Sequence, residues 1–373
     1  MAVIAYMTEV MFGAGSVREL PAALTRLAMR RPLLVTDAGL VRAGLVAQCT
    51  RGLDDLPVFD ATPANPTEQA VGAALEQYKA SRCDGLIALG GGSVIDLAKA
   101  VALLATHARP LAQYAVVNGG AERITANTAP LIAIPTTSGS GSEVGRATLI
   151  VLADGRKRAL VSPHLLPKLA ICDPGLTRSL PPSIAAGCGM DAIAHCVEAL
   201  LSPRFNPPAE AIALDGLVRG VSAIERAVHD PADDDARAAL MMASLEGGLA
   251  FQKGLGAVHA MSHALGALKA PLLHHGTLNG ILLPAVLRFN AEACAPHYAR
   301  IRTALGVPSD TALDDTFRRL LARIGLPERL RDLGLDRAVL PQMAEDATHD
   351  FSHLTNPRSA TAHDYLGMLT ESY

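Results

Sequence analysis

The chain has 373 residues, half of them hydrophobic, with a net charge of −3 and six cysteines. That length suffices for two domains with a core each, and a weakly negative chain with no basic block offers nucleic acid no electrostatic purchase. Mean hydropathy is positive, yet no run of ~18 uncharged apolar residues occurs and Asp96 and Lys99 interrupt the most apolar stretch, residues 85–105, so no membrane span is expected.

The first residues, MAVIAYMTEVMFG, lack a basic region and carry Glu9, which argues against a signal peptide and for the cytoplasm. Cys49, Cys83, Cys172, Cys188, Cys196 and Cys294 form no CxxC pair and are expected as reduced core thiols.

In chain order, the segment VIAYMTEVMFG predicts a short strand or hairpin. Buried strands follow at RPLLVTD (31–37), LPVFD (56–60), DGLIALGGGS (84–93) and APLIAIPTT (129–137). Helical periodicity separates them, as in PTEQAVGAALEQYKA and VIDLAKAVALLA. Such alternation predicts an α/β domain with a parallel sheet covered by helices on both faces. Beyond LTRSLPPS the β-branched runs stop, and Ala- and Leu-rich helices broken by SPRFNPPAE and HDPADDD take over. The expected domains are 1–178, α/β, and 179–373, all helical, with a shared cleft as the place for a ligand.

GGGSVID follows a predicted strand at once. Gly90, Gly91 and Gly92 allow close approach to a ligand. Ser93 reads as the N-cap of the next helix, with Asp96 completing a capping box, and the helix N-terminus then faces an anion. A tight strand–helix turn is the plainer alternative. In PTTSGSGSEVG, Thr136, Thr137, Ser138, Ser140 and Ser142 supply hydroxyls between glycines, so two loops at strand ends point to one dinucleotide. Asp37, ending the first long strand, either accepts from the ribose hydroxyls of NAD or simply forms a turn before Ala38-Gly39.

Asp191 and His195 in GCGMDAIAHCVEALL, and His259 and His263 in GLGAVHAMSHALG, stand four residues apart. Each pair therefore shares a helix face. LLHHGTLN adds His274 and His275. Carboxylate and imidazole clustered in apolar helices point to a metal, with Fe(II), Zn(II) and Mn(II) all suited to such ligands. A single histidine on an apolar face would be structural. Spacing alone leaves His259, His263 and His275 unranked, and Cys188 and Cys196 are the weaker ligand candidates.

With LLVTDAG, the NPT at 65–67, GGGSVIDLAK, PTTSGSGSEV, GMDAIAHCVEA, GAVHAMSHALGA, HHGTLNGILLPAVLRFN and TNPR, the chain resembles the iron-containing (group III) alcohol dehydrogenase family over essentially its whole length. The resemblance implies a dinucleotide-binding α/β domain, a helical metal domain and a homodimer or larger oligomer. It implies metal ligands Asp191, His195, His259 and His275, holding Fe(II) or else Zn(II), and places His263 beside nicotinamide as a proton relay. NAD(H) contacts would fall on Asp37, Asn65, Gly91, Gly92, Ser93, Thr136, Thr137, Ser140, Ser142 and Lys157.

FQKGLGAVH, HHGTLN and FNPPAEAIALDGL look most similar to 4-hydroxybutyrate dehydrogenase-like members, which implies a short ω-hydroxy acid and its semialdehyde. Lys253 would then hold the substrate carboxylate, unless it is a solvent-facing loop lysine. Glycerol dehydrogenase-like, dehydroquinate synthase-like and maleylacetate reductase-like activities on the same architecture are the enzyme alternatives. A non-catalytic nucleotide- or metal-binding relative is the alternative of another class, and would be expected to have lost a ligand or a phosphate loop.

Overall fold

The computed structural model describes residues 4, 6, 8–53 and 55–373. The chain forms two compact units. One holds the chain from Tyr6 to Thr137 together with Ser142–Ser179; the other holds Ile4, Ser138–Gly141 and Leu180–Tyr373.

The first unit is built on a parallel sheet. Its strands are β1 (Glu9–Phe12), β2 (Pro32–Val35), β3 (Val58–Phe59), β4 (Gly85–Gly90), β5 (Leu131–Pro135) and β8 (Leu169–Cys172), in the spatial order β1-β8-β5-β4-β2-β3. Every pairing in it is parallel. The N-terminal segment expected as a strand or hairpin is thus the edge strand β1, paired with β8; residues 3, 5 and 7 of that segment lie outside the described residues. Side-chain alternation sorts two cores onto the two faces. Leu33, Val35, Leu86, Ala88 and Ala133 join one, while Leu34, Ile87, Leu89, Ile132 and Ile171 join the other.

The helices of this unit are α1 (Leu20–Arg26), α2 (Ala38–Arg42), α3 (Leu45–Cys49), α4 (Glu68–Ala80) and α5 (Gly92–Leu104). Thr67 caps α4 by accepting from Ala70 N at 3.2 Å. From β2 the chain steps outward to β3, returns to β4 on the other side of β2, and then moves away to β5. The order therefore reverses between β2 and β4. The carboxyl ends there, at Asp37 and Gly91, form a topological switch point, where ligands of open α/β sheets bind. An antiparallel hairpin, β6 (Ala147–Val151) and β7 (Lys157–Val161), stands apart from the sheet.

The second unit is helical among the described residues: α6 (Pro182–Leu201), α7 (Pro207–His229), α8 (Asp234–Ala250), α9 (Ala257–Gly266), α10 (His275–Asn290), α11 (Ala295–Leu305), α12 (Leu313–Arg323), α13 (Leu340–Thr348) and α14 (Ala362–Ser372). Asn206 caps α7, Asp233 caps α8, and Thr361 with Asp364 forms a capping box on α14. One helix, α6, is long and apolar enough to cross a membrane by composition, but it is almost wholly buried in this unit. It packs against α7, α8 and α10. A helix apolar on all sides is the central rod of such a bundle. Its three acidic or imidazole groups, Asp191, His195 and Glu198, are consequently held deep in the core.

Candidate active site

Asp191 and His195 leave the same side of α6, and α9 and α10 bring histidines to them. Asp191 Oδ1 lies 3.7 Å from His195 Nε2, 3.6 Å from His259 Nε2 and 3.7 Å from His275 Nε2. Ligand atoms on a tetrahedron around an ion at roughly 2.1 Å are about 3.4 Å apart, so this spacing is that of a first coordination shell. The ligand atoms of Asp191, His195 and His259 all lie within 4.8 Å of one another. Asn279 Nδ2 donates to Asp191 Oδ1 at 2.7 Å and lies 3.2 Å from Nε2 of both His259 and His275, so those acceptors converge on one point. Three imidazole nitrogens and one carboxylate suit a divalent transition metal.

Burial and close approach make these groups bias one another's charge. Asp191 is buried, which alone would favour its protonation, but His195, His275 and His259 around it hold the carboxyl well below its usual range. Burial pushes His195 down to about 4 against the pull of Asp191, leaving a neutral ring with a lone pair to give. In His259 burial is outweighed by Asp191 and Glu198, and the ring is raised to about 9. Glu198, one turn beyond His195 on α6, binds His259 Nδ1 at 2.6 Å through Oε2 and accepts from Val258 N at 2.8 Å through Oε1. A carboxylate behind a histidine fixes which nitrogen faces the metal. Nothing in the spacing of Glu198 distinguishes it from an ordinary helix carboxylate; its full burial does.

The structure separates the adjacent histidines. His274 is the N-cap of α10, its ring accepting from Thr277 N at 3.3 Å, whereas His275 turns Nε2 toward Asp191. Gly276 makes that approach possible: a Cβ there would stand 2.1 Å from the carbonyl oxygen of Gly187, so any side chain would push α10 off α6. His263 keeps a carboxylate of its own, with Nδ1 2.9 Å from Asp350 Oδ2.

Lys253 requires a correction. Its side chain is buried, with Nζ 3.1 Å from Glu210 Oε1 and donating to the Leu200 carbonyl at 3.2 Å. An ammonium at that depth needs a fixed counter-charge, and Glu210 provides it. Lys253 is therefore not a solvent-facing lysine, and its ammonium is held by Glu210.

At the sheet, Gly90 pairs with Pro135 and Thr136 N donates to the Gly90 carbonyl, which sets the two predicted loops side by side. A Cβ on Gly91 would meet Thr137 at 3.2 Å. The amides of Gly92 and Ser93 lie in the first turn of α5, where helix geometry leaves N–H groups without intrahelical acceptors. Lys157 Nζ donates to Asn65 Oδ1 at 3.2 Å, bringing two further predicted residues together. Asp37 Oδ1 accepts from Gly39 N at 2.8 Å and Leu40 N at 3.1 Å, so the turn-forming role is real and fixes the carboxylate at the end of β2.

The capping box is corrected. Gly91 is the N-cap of α5, and the Ser93 hydroxyl donates to the Ala64 carbonyl. Asp96 turns inward, accepting from Ser142 Oγ at 2.7 Å and Leu149 N at 3.0 Å. Lys99 completes this network, donating to Ser142 Oγ, Gly145 O and Ala147 O. Its ammonium is fully buried, which lowers its pKa to about 8 against the pull of Asp96 and Glu143. Ser142 Oγ thus bonds to Asp96 and Lys99 of α5, and those two side chains in turn reach Leu149 N and Ala147 O of the hairpin.

Family models agree with this geometry. Residues 7–174 match the iron-containing alcohol dehydrogenase model and residues 185–373 match the Fe-containing alcohol dehydrogenase C-terminal model. The chain belongs to the iron-containing alcohol dehydrogenase family. It is 50% identical to a 4-hydroxybutyrate dehydrogenase of Cupriavidus necator, with all of both chains covered. It is 34% identical to a 1,3-propanediol dehydrogenase of Citrobacter freundii, over 97% of this chain and 96% of that one. Among solved structures, a 1,3-propanediol oxidoreductase superposes with a TM-score of 0.93 at 32% identity, covering both chains fully. A sulfoacetaldehyde reductase of Bifidobacterium kashiwanohense, in complex with NAD+, gives 0.89 at 27%, covering 100% of this chain and 98% of that one.

Proposed function

We propose that the protein is an NAD(H)-linked, iron- or zinc-dependent alcohol dehydrogenase that interconverts a short ω-hydroxy acid of the 4-hydroxybutyrate type and its semialdehyde. The observation that carries the reading is the convergence of three imidazole nitrogens on Asp191 Oδ1. The choice of substrate is supported by the 50% identity to a 4-hydroxybutyrate dehydrogenase over the full chain.

In this reading residues 1–178 bind the nucleotide and residues 179–373 hold the metal and the substrate. Asp191, His195, His259 and His275 hold the metal. When bound, the metal supplies Lewis-acid polarisation of the substrate oxygen and NAD supplies hydride exchange. Asp37 receives the ribose hydroxyls and rejects the extra phosphate of NADP. Gly91, Gly92 and Ser93 offer first-turn amides to the pyrophosphate. Thr136, Thr137, Ser140, Asn65 and Lys157 complete the nucleotide contacts. His263 carries the hydroxyl proton to solvent, and its burial keeps bulk water from competing. The protein acts in the cytoplasm as a homodimer or higher homo-oligomer, as is usual in this family.

Anaerobic reconstitution with Fe(II) or Zn(II), followed by an aldehyde and semialdehyde screen with NADH and NADPH, tests this. Succinic semialdehyde with NADH is expected to give the highest kcat/KM. A preference for NADPH would overturn the role of Asp37, and a preference for simple aldehydes would overturn the substrate class.

A further inference from the structure

His263 is held on three sides by residues of its own unit. Its ring stacks on His275, with centroids 5.3 Å apart and planes 7° off parallel, and on Phe351 at 5.9 Å and 20°. Stacking fixes the plane of an imidazole but leaves open which nitrogen faces which way. Asp350 closes that choice. Its Oδ2 is 2.9 Å from His263 Nδ1, and its Oδ1 accepts from Ser352 N at 2.8 Å, so the carboxylate cannot rotate without losing a bond. Both side chains are nearly buried, at 6% and 10% exposure. The arrangement repeats that of Glu198 behind His259. A carboxylate behind a ring nitrogen fixes the tautomer of the other one.

We infer that Asp350 is the positioning residue of the proton relay: it holds His263 as the Nδ1–H tautomer, so that Nε2 is the atom that takes up the substrate hydroxyl proton. This rests on the dehydrogenase reading above. The proton leaves the substrate oxygen, binds Nε2 and is then released to water; Asp350 stays ionised and is unchanged at the end. A ring in the opposite tautomer would present an N–H to the hydroxyl and have no lone pair with which to accept.

The test combines a tautomer measurement with a mutant cycle on metal-reconstituted protein. In histidine-labelled wild type, ¹⁵N chemical shifts assigned by comparison with His263→Ala are expected to show His263 protonated on Nδ1. Asp350→Asn is expected to retain its metal and its KM within about twofold while kcat falls on the order of 100-fold, the usual worth of a proton-transfer group. His263→Ala should fall by a similar factor, and the double variant no further than His263→Ala alone, because residues acting as one unit are not additive. Asp350→Glu should recover part of the loss. An Nε2–H tautomer in wild type, additive losses in the double variant, or an unchanged kcat in Asp350→Asn would each overturn the inference. Fully loaded wild type without turnover on any alcohol or aldehyde would instead sink the dehydrogenase reading, with the tautomer still measurable.

Discussion

Two carboxylates, the buried Glu198 and the partly exposed Glu210, differ in what they serve, and single substitutions separate them. Glu198 acts on the metal centre through His259, with one oxygen on Nδ1 and the other on the backbone of α9. Glu198→Gln keeps the shape but loses the charge behind the ring, and is expected to weaken metal binding by roughly 10- to 100-fold. Titration of the apo protein with Co(II) against a competing chelator measures this. Glu210, by contrast, neutralises Lys253 and also pairs with Arg300 at 2.8 Å. Lys253→Met should therefore lower the melting temperature while leaving KM for succinic semialdehyde within about twofold. A large rise in that KM with stability intact would return Lys253 to the substrate. The pairs Asp191/His195 and His259/His263 were legible because four-residue spacing is a local property of a helix, but spacing could not rank His259, His263 and His275. Their carboxylate partners were not legible: Glu198 gains its meaning from His259, 61 positions along the chain, and Asp350 lies 87 positions from His263. Such pairings are made only by tertiary packing.

At the level of elements, the central strands and α4 and α5 stand out by pattern, and the sequence misses the hairpin β6–β7. It had a usable signal in the Asp154-Gly155 turn between two short alternating runs. The capping box on α5 fails for a different reason. Asp96 has the right spacing, but the Ser142 hydroxyl and the Leu149 amide bind it inside the unit, with the Lys99 ammonium as a nearby counter-charge. The α7–α8 contact carries a pH dependence. Glu246 on α8 is pushed up to about 8 by burial and by Asp215 on α7, with Arg219 opposing. An acid raised in the folded state keeps a proton that the unfolded chain releases. Folding stability is therefore lost as pH rises from about 4.5 to about 8, then levels off. Glu246→Gln removes that loss. Its melting temperature relative to wild type should climb through this window and be flat above it. A difference independent of pH would show that Glu246 does not titrate there.

At the scale of the whole molecule, the sequence divides its work between two compact units, and ligand binding should register on each separately. Every proposed metal ligand lies in the helical unit, on α6, α9 and α10, while Asp37, Asn65, Gly91, Gly92 and Ser93 lie in the sheet unit. The loop PTTSGSGSEVG belongs to both, since Ser138–Gly141 is counted with the helices and its flanks with the sheet. Gly141 is fixed there by φ +60° and by Gly248, whose Cα would stand 2.4 Å from an added Cβ. A ligand that binds only the folded state stabilises it by RT ln(1 + [L]/Kd), about 2.7 kcal/mol at a hundredfold excess over Kd. Hydrogen exchange should then show Zn(II) protecting amides of α6, α9 and α10 in the apo protein, and NADH protecting the first turn of α5 and residues 136–137. In His259→Ala the protection by Zn(II) should vanish while that by NADH persists. In His263→Ala both should persist, because a relay residue does not hold the ion. Loss of Zn(II) protection in His263→Ala equal to that in His259→Ala would make His263 a ligand and leave Asp350 supporting the metal centre instead.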